Sequence, residues 1–127
     1  MARILLVEDD FDVRPLLEHI LKTEATYDVV AVESMANALA LLDQRPFDLV
    51  ITDVNLPDGS GLRVADKARA RGVRALVFTG HGLSLEPGAL AHYDYLLKPL
   101  HAHEFLEAVR RRVPREGPEV VPFPRPS

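Results

Sequence analysis

Five short apolar runs, each followed by a polar residue and separated by stretches of helical periodicity, restrict this chain more than any other feature. The runs are Ile4–Val7, Val29–Val32, Leu49–Thr52, Ala75–Phe78 and Tyr95–Leu97. The first four are β-branched or Leu-rich and lack polar alternation, the pattern of strands buried on both faces. Between the first two, Val13, Leu16, Leu17, Ile20 and Leu21 recur at helical spacing and form one stripe. Pro15 fits that helix only in its first turn, and Asp10 or Asp12 is placed to cap it. Ser34 is expected to cap a second helix with Ala38, Leu41 and Leu42 inward. A third runs from about Ser60 to Arg71 on Leu62, Ala65 and Ala68, and Gly72 stops it. A last helix sets Ala102, Phe105, Leu106, Val109 and Val113 on one side. Strict alternation of strand and helix predicts an α/β fold, a parallel sheet with helices on both faces.

Ligands of such sheets bind at the carboxyl ends of the strands, near a switch in strand order. The first run is followed by Glu8-Asp9-Asp10 and the third by Asp53-Val54-Asn55-Leu56-Pro57-Asp58-Gly59. The fourth is followed by Thr79-Gly80 and the fifth by Lys98-Pro99. Asp9, Asp10 and Asp53 brought together would repel one another unless a cation intervened. A hard divalent ion such as Mg²⁺ takes oxygen ligands and bridges carboxylates to phosphate. Thr79 offers a hydroxyl donor, Lys98 a compact positive charge, and Gly80 space. A carboxylate can itself be the nucleophile, so the set reads as a site for phosphorylating an aspartate.

Composition removes other classes. The chain has no cysteine, which excludes disulfide scaffolds, thiolate catalysis and Cys-ligated zinc. Its net charge of −4 disfavours nucleic acid as a partner. Arg110-Arg111-Arg112 reads as the cation-rich end of a helix. The N-terminal apolar run is too short for a signal peptide, and no stretch has the ~20 apolar residues of a membrane span, so a cytoplasmic location is expected. In 127 residues there is room for one domain, placed at 1–113. A tail at 114–127 holds five of the ten prolines and reads as either a disordered end or an arm packing Val120, Val121 and Phe123 on a partner subunit.

The motifs Leu5-Leu6-Val7-Glu8-Asp9-Asp10, Asp48 through Pro57, Phe78-Thr79-Gly80 and Tyr95-Leu96-Leu97-Lys98-Pro99 resemble those of response-regulator receiver domains. The resemblance covers residues 2 to about 113 and implies a flavodoxin-like (βα)5 fold, doubly wound, with strand order 2-1-3-4-5. It implies that Asp53 accepts a phosphoryl group from a sensor histidine kinase or a small acyl phosphate. It implies Mg²⁺ ligation by Asp10, Asp53 and the backbone carbonyl of Asn55, with Asp9 acting through water. Thr79 and Lys98 would contact the phosphoryl group, and Tyr95 would be the switch aromatic. The Lys98–Pro99 bond is expected to be cis. The protein so described is no ordinary enzyme. It is a stand-alone, Mg²⁺-dependent phosphoacceptor that promotes its own phosphotransfer and dephosphorylation and signals by protein contacts. The family's fourth helix, fifth strand and last helix, like the tail, offer surfaces for a homodimer.

Three features depart from that pattern. Lys98 follows Thr79 by only 19 positions, and Gly82, Pro87 and Gly88 lie between them, so the fourth helix is expected to be short, irregular or missing. His81 either tunes phosphoryl lifetime or is an exposed loop residue. His101 and His103 diverge on a helix and make a poor metal pair. Competing readings remain open: a phosphatase with a nucleophilic aspartate, a flavodoxin, or a receiver-like scaffold that is never phosphorylated. The first would want a second Asp where Asn55 stands; the second would want a phosphate loop where Glu8-Asp9-Asp10 would repel the ligand.

Overall fold

A computed structural model describes residues 2–80, 88, 90–98 and 101–113. The first strand, β1 (Arg3–Val7), leads into α1 (Val13–Glu24), followed by β2 (Asp28–Val32), α2 (Met35–Gln44) and β3 (Leu49–Asp53). A two-residue-per-strand hairpin, β4 (Asn55–Leu56) and β5 (Gly59–Ser60), precedes α3 (Gly61–Ala70). Then come β6 (Arg74–Thr79), β7 (Tyr95–Leu97) and α4 (Ala102–Arg112). All five expected runs are strands. The main sheet is parallel, in the order β2-β1-β3-β6-β7, which is 2-1-3-4-5 once the small hairpin is set apart.

The unbroken apolar runs follow from this architecture, because successive residues of a central strand serve opposite layers. Ile4 and Leu6 pack with Leu17, Ile20 and Leu21 of α1 and Phe105, Leu106 and Val109 of α4. Leu5 and Val7 pack with Ala38 and Leu42 of α2 and Val64, Ala65 and Ala68 of α3. Phe105, 1% exposed, stacks tilted on Phe78 at 5.4 Å between ring centroids. Two expectations change. Val29–Val32 lies at the sheet edge, so only Val29 is fully buried. Leu16 stays 56% exposed, on the solvent side of the stripe that Leu17, Ile20 and Leu21 bury.

The helix ends obey local chemistry. Pro15 sits in the first turn of α1, where its missing N–H costs nothing. Ser34 Oγ accepts the Asn37 amide and Ser60 Oγ the Leu62 amide. Gly72, at φ +77°, adopts the left-handed conformation that ends α3, and Val73 N donates to Ala68 O at 2.8 Å. Between β6 and β7, the described residues Gly88 and 90–92 form turns, with Ala91 N donating to Gly88 O and Tyr93 N to Leu90 O. The rest of the expected fourth helix, His81, the Lys98–Pro99 bond and the 114–127 tail lie outside the described residues. Among the described residues, no helix is long and apolar enough to cross a membrane.

Candidate functional site

Asp53, Thr79 and Lys98 come from neighbouring strands, and the parallel register places their ends on one edge. Asp53 is opposite Phe78 and Thr79 is opposite Leu97, so each residue lies at or just beyond the last paired position. Lys98 N donates to Thr79 O at 2.9 Å, extending β7 by one bond. Lys98 Nζ then reaches Asp53 Oδ2 at 3.2 Å and Glu8 Oε1 at 3.0 Å. Thr79 is 1% exposed at the floor of this edge, and the Asp53 side chain is 12% exposed. Among the described residues, a Cβ on Gly80 would meet no atom within 4 Å.

Glu8 enters the site because strand pairing continues one residue past β1. Its amide donates to Val32 O at 3.0 Å, and its side chain is left only 2% exposed. Burial raises its carboxyl pKa, although the Lys98 ammonium opposes the shift. For Lys98, desolvation would lower the pKa. The hydrogen bond to Glu8 and the charges of Asp53 and Glu8 outweigh it, so the net shift is upward. The ligand oxygens of Glu8, Asp9 and Asp53 lie within 4.8 Å of one another. An oxygen-only donor set of this kind, half open to water through exposed Asp9, suits a hard divalent cation.

Asp10 does not join that cluster. Its Oδ1 accepts the amides of Asp12 at 2.7 Å and Val13 at 3.0 Å, closing the turn that starts α1. Those bonds, Val13's first, hold its carboxyl below the usual aspartate value. The cluster thus contains Glu8, two residues before the expected ligand Asp10, together with Asp9 and Asp53. The sequence signal for Glu8 is that it directly extends a run buried on both faces.

The backbone around Asp53 is tightly held. Thr52 Oγ1 donates to Asp53 O at 3.0 Å, Val54 N donates to Phe78 O at 2.9 Å, and Gly61 N donates to Val54 O at 2.7 Å. A Cβ on Gly61 would sit 1.7 Å from Asp53 O, so only glycine allows α3 to begin so close to the site. Asn55 is exposed at the start of the hairpin. Tyr95 is 44% exposed at the start of β7, and His101 caps α4 through its amide, which donates to Glu104 Oε1 at 3.1 Å. An apolar groove of about 280 Å³ opens beside Lys98 between α1 and α4, lined by Val13, Leu16, Leu17, Ile20, Phe78 and Phe105. Phe11, just before α1, is 79% exposed, with the Arg14 guanidinium 5.7 Å from the ring centroid.

The comparisons agree with this geometry. The family profile described as "Response regulator receiver domain" matches residues 4–110. The response regulator protein FleR of Pseudomonas aeruginosa is 36% identical over 87% of this chain, which spans 24% of FleR. The response regulator receiver protein CpdR of Brucella abortus is 32% identical over 87% of this chain and 96% of its own length. Among solved structures, the response regulator protein TrrA of Thermotoga maritima, determined in complex with Mg²⁺ and BeF, superposes with a TM-score of 0.77. It is 29% identical, and the match covers 89% of this chain and all of TrrA.

Proposed function

The chain belongs to the response-regulator receiver family, whose members are phosphoacceptor signalling domains, and we propose that its acceptor is Asp53. The observation that carries the reading is Lys98 Nζ set between Asp53 and buried Glu8, with Asp9 completing the acidic cluster. The phosphodonor is a phosphohistidine on a sensor kinase or a small acyl phosphate. An Asp53 carboxylate oxygen attacks phosphorus and the new O–P bond forms; the P–N bond of a phosphohistidine breaks with its electron pair leaving on the imidazole nitrogen, or the P–O bond of an acyl phosphate breaks with its pair leaving on the carboxylate oxygen. Lys98 neutralises charge on the transferring oxygens and aims at the acceptor oxygen from 3.2 Å. Glu8, Asp9 and Asp53 would hold Mg²⁺, together with the Asn55 carbonyl. When bound, the ion offsets phosphoryl charge and carboxylate repulsion.

The finer steps follow from the same edge. A phosphoryl group adds nearly two negative charges at pH 7, which draws the Thr79 hydroxyl toward it. Tyr95, half out in solvent at the start of β7 opposite Val77, then turns inward and changes the face around β7. Water attack on the acyl phosphate returns the resting state. A protein phosphodonor reaching Asp53 meets the groove between α1 and α4, with exposed Leu16 in its lining, and the exposed Phe11 that precedes α1. Signalling is by protein contact, and the acidic site edge gives nucleic acid no purchase.

The test is incubation with acetyl phosphate, with and without Mg²⁺, read by intact mass. A phosphoryl adduct that needs Mg²⁺ and is absent in Asp53→Asn is the expected result. An adduct of equal yield in Asp53→Asn would move the acceptor elsewhere, and no adduct in the wild type would favour a scaffold that is never phosphorylated.

A further inference from the structure

The hairpin β4–β5 carries Asn55 at one end and Asp58 at its tip, and its tip is tied to a different element. Asp58 Oδ1 accepts the Met35 amide at 2.8 Å and Oδ2 accepts the Ala36 amide at 2.9 Å. Both amides belong to the first turn of α2, which has no partner for them within the helix. Ser34 already covers a third, the Asn37 amide, at 3.1 Å. Asp58 is thus a second cap delivered from 22 and 23 residues away. The bonds from Ala36 and Met35 hold its carboxyl below the usual value. The contact is reinforced beside it: a Cβ on Gly59 would lie 2.5 Å from Met35 Sδ, so the Met35 thioether rests on the hairpin. Leu56, between Asn55 and the tip, is buried in the same core layer as Ala38 and Leu42.

We propose that Asp58 is a positioning residue for the cation site, a latch that makes the Asn55 hairpin one body with α2 and so fixes where the Asn55 carbonyl stands. The proposal rests on the reading of Glu8, Asp9, Asp53 and Asn55 as the Mg²⁺ site. Partners that orient a metal ligand commonly govern affinity although they never touch the ion. Leu56 anchors the hairpin's inner side, while at its tip the two Asp58 bonds and the Met35 contact tie it to α2. A longer or shorter reach to the ion weakens a metal such as Mg²⁺ sharply, because its coordination tolerates little distortion. Release of the latch also frees the two α2 amides, so the loosening has a signature independent of the metal.

The decisive comparison sets Asp58→Ala against Ser34→Ala. Both remove a side-chain cap from the α2 N-terminus, but only the first unties the hairpin. Because the chain has no tryptophan, Mg²⁺ affinity is read by titration calorimetry with MgCl₂, and the latch by hydrogen exchange at the Met35 and Ala36 amides. Asp58→Ala should weaken Mg²⁺ binding about tenfold, the lower range for partners of metal ligands. Met35 and Ala36 should exchange faster in it, Asp58→Asn, which keeps one acceptor oxygen, should recover part of the affinity, and Ser34→Ala should bind Mg²⁺ like the wild type. Equal affinity in Asp58→Ala and wild type overturns the latch while leaving the Mg²⁺ site standing. Equal losses in Asp58→Ala and Ser34→Ala overturn it as well, since the effect would then be general weakening of α2. Absence of Mg²⁺ binding in the wild type overturns the site reading and the latch together.

Discussion

Replacing Lys98 by methionine tests the electrostatics of the site directly, because the stem volume is kept and only the charge is lost. In the native protein Nζ lies 3.0 Å from Glu8 and 3.2 Å from Asp53. At an effective dielectric near 20, each contact is worth about 5 kcal/mol of gross attraction. Desolvation of three partly or fully buried charges offsets most of it, since Glu8 is 2% exposed and the side chains of Asp53 and Lys98 are 12% and 27% exposed. The variant loses more than that balance, because Glu8 is left buried with no counter-charge. Breaking a buried pair in this way costs about 3–5 kcal/mol, and we expect the lower end, about 3, because Glu8 can relieve the strain by taking a proton. The assay is urea unfolding followed by far-ultraviolet circular dichroism, at pH 7 and then on the acid side.

The pH dependence gives the sharper check. The folded pKa of Glu8 is raised above its ordinary 4.5, so the protonated form is favoured by folding. Its contribution is present below 4.5 and is lost as pH rises through the folded value. Without Lys98, burial acts unopposed and that window moves higher. The deficit of Lys98→Met should therefore be greatest near neutrality and shrink on acidification. On the alkaline side the pKa of Lys98, raised above 10.5, keeps the native advantage until pH passes that raised value. A loss below about 1 kcal/mol at pH 7, the range of exposed pairs, or a deficit that grows as pH falls, would refute the reasoning.

Three further outcomes follow from particular contacts. Gly61→Ala should destabilise by at least about 3 kcal/mol in the same urea assay, because the added methyl meets the fixed Asp53 carbonyl and not a side chain that can move. Asp9→Ala should abolish measurable Mg²⁺ binding in calorimetry, whereas Asp10→Ala should bind Mg²⁺ normally and show only a lowered thermal midpoint from the loss of its turn. That loss should fade at acid pH, since the lowered pKa of Asp10 means its contribution is present above 3.8 and disappears as pH falls through the folded value. Leu16→Asp should slow phosphorylation by a sensor kinase while leaving the rate with acetyl phosphate unchanged, because only the protein donor uses the groove rim.

Much of this protein is local, and the chain order alone determines it. A run such as Ile4–Val7 with no polar partner can only be a strand sandwiched between layers, and Ser34, Ser60 and Gly72 mark helix ends by chemistry confined to a few residues. Parallel pairing then brings the residues after β3, β6 and β7 to one edge, so Asp53, Thr79 and Lys98 were legible as a set before any coordinate. Tertiary structure decided what depends on neighbours distant in sequence. Whether Glu8 or Asp10 joins Asp9 and Asp53 in the acidic cluster depends on one bond to Val32, which prolongs β1 and leaves Asp10 to start α1. Val30 and Val32 are half-buried because β2 is an edge, and edge position is a property of the assembled sheet. Asp58 reads as a turn residue from its surroundings in sequence; its two bonds to α2 arise because the sheet sets the hairpin after β3 against the start of α2, more than 20 residues back along the chain.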